Sequence, residues 1–441
     1  MKRFKRILLI GLPLVAVAIF YNYPKLNIIS GYASKNMAST VFIADRGSAS
    51  ITENDNNIPL IKLADVEMHG TEASASVFGL MERKTVCREG LGCVLVNEEG
   101  DLNSTLKPKR NKVDSLARYP FGLAENDTVS FEEVDYEQLE KAIDNAFANP
   151  EVQKTRTVLI AYKNQIVGER YLDGFSKDTP ILGWSMTKSI LATLYGILKH
   201  QQKIDLENSA PLDSWQGDER RNITLNHLLR MQSGLAWKED YTAISDVTRM
   251  LFLDADMSMA QEEREAMTSP TEIWNYSSGT TNLLSGILRK QFKTHQEYLD
   301  FPYASLIDKI GMHSMLIETD MAGNYVGSSY GWASTRDWAK FGILHLNKGN
   351  WNGEQLFAPE WIEYITTPTE HSEGTYGAHW WLNAQGKYPG VPKDLYSANG
   401  YQGQYVFIIP SKDLVIVRTG LAEDPDFDAA QFLREIVTAV R

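Results

Sequence analysis

The 441-residue sequence predicts an α+β fold in which strands from both ends of one domain form a single antiparallel sheet flanked by helices. Early in this domain, two β-rich runs, 157–162 and 166–171, flank Lys163-Asn164-Gln165 and predict a hairpin. Near the C-terminus, the runs 405–409 and 414–418 flank a second turn. The region from Gly234 to about residue 345 reads mostly as helix or loop, which predicts a largely helical subdomain.

Helices next to the predicted sheet follow from the spacing of apolar residues. Apolar residues recur at helical intervals in 137–148 and again in 427–440, which places an amphipathic helix at each end of the domain. Another helix is predicted within 223–231, where Thr224 stands in the position of an N-cap and Ser233-Gly234 follows the last turn.

Composition excludes some partners. The formal net charge of −12 argues against a nucleic-acid partner and against general attraction to anionic lipid, because both carry negative charge. No basic stripe offsets this charge. The sequence gives no sign of a metal or an organic cofactor, and nothing in it fixes the oligomeric state.

The N-terminus resembles an export signal. Basic residues precede the apolar run 7–20, which predicts a signal anchor or signal peptide over residues 1–23. Since no clean cleavage site follows, we expect an inner-membrane anchor with the catalytic domain on the periplasmic side, or a secreted protein if the signal is cleaved. The alternative is a buried N-terminal helix.

Residues 24–130 predict an extension that leans on the main domain, residues 131–441. We expect an irregular tether over 24–60 and short strands within 64–95. The only two cysteines, Cys87 and Cys93, bracket a glycine-containing loop. In an exported protein this pattern favours a disulfide, and two free structural thiols are the alternative.

The segment Gly183–Ile190 carries the first candidate chemistry. Apolar residues recur at helical spacing from Ile190 onward, so Ser185 should begin a buried helix with Lys188 on the same face. A serine hydroxyl needs a neighbouring base to become a nucleophile, and a partly desolvated lysine can serve. The helix N-terminus adds N–H groups that suit an oxyanion.

Two other serines match short motifs in less suitable contexts. Ser104 and Lys107 repeat the Ser-x-x-Lys spacing but run into Pro108 with no helix to follow. The segment Gly327–Gly331 matches Gly-x-Ser-x-Gly around Ser329, with His345, His371 and His379 downstream. No strong strand precedes Ser329, and the alternating β-α pattern of an α/β-hydrolase is missing.

Two further segments could complete a site. Tyr276 stands in a small, polar stretch before an apolar helix, where its phenol could relay a proton if a nearby lysine lowered its pKa. The stretch 397–404 places glycines at the opening of a strand, where the backbone can approach a substrate closely. Read alone, each also fits an ordinary turn or strand junction.

Taken together and in this order, these segments resemble the serine β-lactamase/penicillin-binding-protein superfamily. Within it they look most like the β-lactamase-related serine hydrolases: class C β-lactamases, the family's esterases and 6-aminohexanoate-dimer hydrolase. The resemblance covers about residues 150–420 and implies a β-lactamase/transpeptidase-like fold. It implies that Ser185 is acylated, Lys188 helps to deprotonate it, Tyr276 relays the proton, and the N–H groups of Ser185 and Gln404 form the oxyanion hole.

This sequence departs from the family pattern at two positions. Ser278 stands where class C enzymes have an asparagine that contacts the substrate, and Tyr401 replaces the Lys or His that often opens the third motif. Losing that basic group removes a partner for the carboxylate of β-lactams. We therefore expect an esterase or amidase acting on small, less anionic substrates, with Trp184, Ser278, Tyr401 and Gly403 around the substrate. A penicillin-binding sensor or cell-wall-binding protein that does not turn over is the alternative.

Overall fold

The computed structural model describes residues 2–97, 102, 106–112, 117–122 and 129–441, with side chains described from Tyr23 onward. Ser104 and Thr105 of the second Ser-x-x-Lys match lie outside these residues, as do the side chains of the predicted signal segment.

The helices are distributed along the whole chain. They are α1 (Lys2–Ala44), α2 (Ser48–Ser50), α3 (Tyr136–Phe147), α4 (Pro150–Gln153), α5 (Met186–His200), α6 (Leu225–Leu229), α7 (Asp246–Leu253), α8 (Met259–Glu262), α9 (Ser278–Arg289), α10 (His295–Pro302), α11 (Thr335–Leu346), α12 (Glu360–Thr366) and α13 (Ala429–Ala439). Short 3-10 or π segments occur at Ile51–Asp55, Ile61–Leu63, Asp213–Trp215, Glu219–Asn222, Tyr303–Ile307 and Pro410–Lys412.

The strands form four sheets. In chain order they are β1 (Ala64–His69), β2 (Glu72–Val77), β3 (Leu80–Arg88), β4 (Gly92–Leu95), β5 (Thr155–Tyr162), β6 (Gln165–Tyr171), β7 (Ile181–Leu182), β8 (Leu316–Ile317), β9 (Gly331–Ala333), β10 (Asn350–Trp351), β11 (Glu354–Gln355), β12 (Trp381–Leu382), β13 (Tyr396–Gly400), β14 (Gln404–Ile409) and β15 (Leu414–Gly420). The sheet orders are β1-β2-β3-β4, β10-β11, β12-β13-β14-β15-β5-β6 and β7-β9-β8.

The six-stranded sheet confirms the predicted α+β architecture. Strand β15 pairs antiparallel with β5, with Ile416 opposite Ile160, so the C-terminal hairpin joins the N-terminal hairpin of the same domain. Strand β14 pairs on the other side of β15, with Phe407 opposite Ile416. Residues along β5 and β15 are buried throughout, because helices cover both faces of the sheet.

Each face of the sheet has its own helical layer. Helices α3 and α13, predicted from their apolar spacing, pack with one face in a cluster that includes Ile143, Ile160 and Leu433. Helices α5, α9 and α11 and much of the chain between the hairpins pack on the other face. The predicted cap is present, since the Thr224 hydroxyl accepts from the backbone N–H of His227 at the start of α6. The site described below lies on this second face.

The expectation of an irregular tether over residues 24–60 is wrong, because helix α1 continues to Ala44. Small and polar residues of α1, such as Ala33, Ser34 and Ala38, are buried against the extension's sheet. The Ser34 and Thr85 hydroxyls lie 2.6 Å apart in a hydrogen bond between α1 and β3. Small side chains let helix and sheet approach closely. Because small and polar residues outnumber large apolar ones such as Ile29 and Met37 among the buried residues of α1, the apolar pattern that predicts a helix is weak.

The extension is joined to the catalytic domain by a buried ion pair. Lys35 Nζ lies 2.7 Å from Glu318 Oε2, and both side chains are almost inaccessible to solvent. Glu318 also accepts hydrogen bonds from Ser39 Oγ, from the backbone N–H of Cys93 and from Trp332 Nε1. Cys93 is disulfide-bonded to Cys87 across strands β3 and β4. One carboxylate therefore joins α1, the disulfide hairpin and the catalytic domain.

In the described part of the chain, no helix combines the length and apolar character needed to cross a membrane.

Replacing Lys35 tests this junction. In Lys35→Met, Glu318 would be left buried without its cation, and breaking a buried pair in this way costs about 3–5 kcal/mol. Urea unfolding followed by circular dichroism should show a clearly lower free energy of unfolding. The matched control is Lys163→Met, which removes the exposed partner of Glu133 and should leave the midpoint unchanged. Equal effects of the two substitutions would contradict the proposed importance of the buried pair.

Candidate active site

The turn before Ser185 is tightly built. Strand β7 ends at Leu182, and the N–H of Gly183 donates to the carbonyl of Gly331 at 2.8 Å. A Cβ on Gly183 would lie 2.3 Å from the Trp338 ring, so only glycine fits there. Trp184 then adopts a left-handed backbone conformation with φ of 47°. This turn places Ser185 at the N-cap position of α5, as the sequence predicts.

Lys188 lies beside Ser185 at the base of the site. Its Nζ donates to Ser185 Oγ, to Ser278 Oγ and to the carbonyl of Ser328, each at 2.9 Å. The residue is 1% exposed. Burial lowers the pKa of Lys188 to about 8, while the negative charge of Glu239 acts in the opposite direction. A substantial fraction of Lys188 is therefore neutral, and able to accept a proton, at mildly alkaline pH.

Tyr276 covers Lys188 from the other side. The ammonium nitrogen lies 4.9 Å from the centroid of the Tyr276 ring, which in turn packs on Tyr376 and Trp381. Burial, followed by the charge of Glu239, raises the pKa of Tyr276, while a hydrogen bond with Ser185 lowers it by less. The predicted proton relay depends on a nearby lysine that lowers this pKa. The net shift is upward, so the phenol holds its proton at neutral pH.

Glu239 completes this polar network and was missed in the sequence. Its carboxylate accepts from the Ser278 hydroxyl at 2.5 Å, from the Ser278 N–H at 2.9 Å, from Tyr241 at 3.1 Å and from the Trp237 indole at 2.5 Å. Ser278 thereby links Glu239 to Lys188. No motif marks this residue, which is one of 56 acidic residues and lies in a polar loop.

The third predicted segment, residues 397–404, approaches the turn before Ser185 through its glycines. A Cβ on Gly400, the last residue of β13, would lie 2.1 Å from the carbonyl oxygen of Gly183. Gly400 pairs with Gln404 across the tight turn to β14. The left-handed Gly403, with φ of 76°, closes this turn, and Gln404 Nε2 fixes it by donating to the carbonyl of Gly420. The start of β14 is thus placed beside the Ser185 turn.

Aromatic rings border the same region. Trp184 meets Tyr401 edge to face at 5.5 Å, and Tyr401 stacks on Tyr241 at 5.4 Å. Trp184 is mostly buried, Ser278 is fully buried and Tyr401 is partly exposed. Of the residues expected around the substrate, Tyr401 therefore offers the accessible side chain, while Ser278 serves Lys188 and Glu239.

The Gly327–Gly331 motif does not form an alternative site. Ser329 is fully buried in a turn before β9, and its hydroxyl lies 2.9 Å from that of Ser328. His345 and His379 are also buried, and burial lowers the pKa of each to about 3. Their rings contact Thr193 and Thr281 rather than Ser329. Among the described residues, no group of three His, Cys, Asp or Glu side chains could hold a metal ion.

Comparisons with known proteins identify the family to which the chain belongs. The family model "Beta-lactamase" matches residues 146–436. The 6-aminohexanoate-dimer hydrolase of Paenarthrobacter ureafaciens is 22% identical over 301 residues, which cover 62% of this chain and 74% of the relative.

Solved structures share the fold. A "Putative 6-aminohexanoate-dimer hydrolase" from Bacillus anthracis has a TM-score of 0.60 at 22% identity, covering 76% of this chain and 90% of the other. A family VIII carboxylesterase has a TM-score of 0.56 at 16% identity, covering 70% of this chain and 98% of the other. At these identities the likeness concerns the fold. The family match, spanning most of the chain, shows that this protein belongs to the beta-lactamase family.

Proposed function

We propose that this protein is a serine hydrolase that cleaves small esters or amides through a covalent acyl-enzyme on Ser185. The observation that carries the proposal is the 2.9 Å contact between Ser185 Oγ and a buried lysine whose pKa lies near 8. A nucleophile and a base in hydrogen-bonding contact, with the base held by further partners, are what acyl transfer requires. The beta-lactamase family match supports hydrolase chemistry in general.

In the acylation step, neutral Lys188 takes the Ser185 proton while Oγ attacks the substrate carbonyl carbon. The carbonyl π electrons move to oxygen, and the N–H groups of Ser185 and Gln404 stabilise the resulting oxyanion. When the tetrahedral intermediate collapses, the bond to the leaving group breaks. The Tyr276 phenol donates a proton to that leaving group. The raised pKa of Tyr276 supports this donor role, because the phenol is protonated when the substrate arrives.

In the deacylation step, water attacks the acyl carbon and gives a proton to the Tyr276 phenolate. The protonated Lys188 stabilises that phenolate across their contact. Collapse of the second intermediate breaks the bond to Ser185 Oγ, which recovers its proton from Lys188. Both side chains then return to their starting states, so the cycle needs no other proton donor.

The residues around the site favour neutral or weakly charged substrates. Tyr401 and Tyr241 present aromatic surface at the site, and Tyr401 occupies the position where a basic residue would pair with a substrate carboxylate. Glu239 adds a negative charge next to Lys188. We therefore propose esters or amides with apolar acyl groups ahead of β-lactams.

We further propose that the chain is exported and anchored in the inner membrane by its N-terminal segment. The basic residues before the apolar run 7–20 support this orientation, and the Cys87–Cys93 disulfide suits an oxidising compartment.

Substituting the nucleophile tests the mechanism. Ser185→Ala should reduce turnover of a p-nitrophenyl ester by about a thousandfold or more, because no other group can carry the acyl chain. Ser329→Ala should retain activity. Intact-mass measurements should show a transient acyl adduct in the wild-type protein and in Ser329→Ala, but not in Ser185→Ala. A stable adduct on Ser185 without turnover would instead identify a penicillin-binding sensor, and an inactive Ser329→Ala would overturn the assignment.

The pH dependence tests the role of Lys188. Since neutral Lys188 is the base, kcat/KM for a neutral ester should rise with pH and reach half its maximum near pH 8. Glu239→Gln removes a charge that favours the ammonium, so the pKa should fall and the profile should move to lower pH. Asp240→Asn is the matched control and should leave the midpoint in place. A profile of Glu239→Gln that stays unmoved or shifts upward would contradict this electrostatic role.

Fractionation tests the anchor. In a bacterial host, the full chain should remain in the membrane pellet after alkaline carbonate extraction and become protease-sensitive once the outer membrane is opened. A chain starting at residue 24 should stay in the cytosol, because it lacks the segment that directs export. Recovery of the full chain in the soluble cytosolic fraction would refute the proposed location.

A further inference from the structure

One face of helix α1 lies against the turn that presents Ser185. Tyr32, Lys35, Asn36 and Ser39 follow the spacing i, i+3, i+4 and i+7, so they form one stripe along the helix. These four residues line a cavity of about 10 Å³ that also includes Leu182 and Trp184, on either side of Gly183. The extension therefore packs directly on the catalytic domain where the nucleophile is held.

Tyr32 is the residue of this stripe that contacts the turn. Its ring stacks on Trp184 with the centroids 6.2 Å apart and the planes 21° apart. Trp184 precedes Ser185 and has a left-handed backbone, a conformation that costs a residue with a side chain about 1–2 kcal/mol. Such a conformation persists only where its surroundings fix it. Tyr32, Tyr330 and Tyr401 are the rings packed around the Trp184 indole.

Lys35 secures the same helix one turn further on. Its partner Glu318 accepts from the indole of Trp332, and Trp332 pairs with Leu182 at the end of β7. Helix α1 thus supports strand β7, which leads into Gly183, and the Trp184 ring, which follows Gly183. Glu318 thus ties helix α1 to the β7-β9-β8 sheet. This tie fixes the position of the helix from which the Tyr32 ring contacts Trp184.

We propose that Tyr32 is a positioning residue for the nucleophile, so that the N-terminal extension is part of the catalytic unit. By holding the Trp184 ring, Tyr32 keeps the turn in the conformation that directs Ser185 Oγ toward Lys188 and the Ser185 N–H toward the oxyanion. The inference rests on the proposed role of Ser185. Tyr32 lies outside residues 146–436, which match the family model.

Full-length variants purified in mild detergent test this inference. Tyr32→Ala and Tyr32→Leu remove the flat ring, and Tyr32→Phe keeps it. Met37→Ala is the matched control, because Met37 is a buried residue of α1 outside the stripe. The readouts are the rate of Ser185 labelling by a p-nitrophenyl phosphonate, kcat and KM for a p-nitrophenyl ester, and the thermal midpoint.

Tyr32→Ala and Tyr32→Leu should lower the labelling rate and kcat about tenfold with KM nearly unchanged, since misplacing a reacting group by about 1 Å can cost about a hundredfold. Tyr32→Phe should react like the wild type. Met37→Ala should lower the thermal midpoint. At temperatures well below that midpoint, its labelling rate and kcat should equal those of the wild type.

Wild-type rates in both Tyr32→Ala and Tyr32→Leu would overturn the inference, as would an equal loss of rate in Met37→Ala. A loss in Tyr32→Phe as large as in Tyr32→Leu would also overturn it, because the ring would then not be the positioning group. If the wild-type protein were not labelled on Ser185, the proposed function would fail, and this inference with it. The two failures are therefore distinguishable.

Discussion

A lysine withdrawn from water beside a serine hydroxyl is the interaction on which the rest of this site depends. Burial of Lys188 lowers its pKa, but the same burial would be costly if its donors lacked partners. Ser185, Ser278 and the carbonyl of Ser328 supply those partners from three separate segments of the chain. The helical subdomain and the turn before Ser185 must therefore meet at Lys188 Nζ.

Glu239 limits how far burial lowers the pKa of Lys188. An isolated buried amine would lose its proton readily, whereas a carboxylate linked through one hydroxyl keeps the protonated form accessible. The same charge raises the pKa of Tyr276, so one acidic residue affects both Lys188 and Tyr276. Ser278 suits this arrangement because a hydroxyl can accept from Lys188 and donate to Glu239 at the same time.

Most of the fold and the contact between Ser185 and Lys188 could be predicted from the sequence, because both depend on local patterns. The runs in β5, β6, β14 and β15 alternate with clear turns, and α3, α5 and α13 carry regular apolar faces. The helical nature of residues 24–44 escaped prediction because most of their buried side chains are small or polar. Glu239 escaped because a carboxylate acquires its role from distant partners, and the approach of Gly400 to Gly183 depends on packing between segments far apart in sequence.

Helix α1 runs without interruption from Lys2 to Ala44, and from Ile29 onward it is built into the protein. A flexible tether would let the catalytic domain reorient freely, whereas a continuous helix restricts its orientation relative to the N-terminus. At about 1.5 Å per residue, the ten residues from Asn22 to Tyr32 span about 15 Å. Any structure that holds the first turns of α1 would thus set the distance and the orientation of the active site relative to itself. These two quantities determine which substrates can reach the active site.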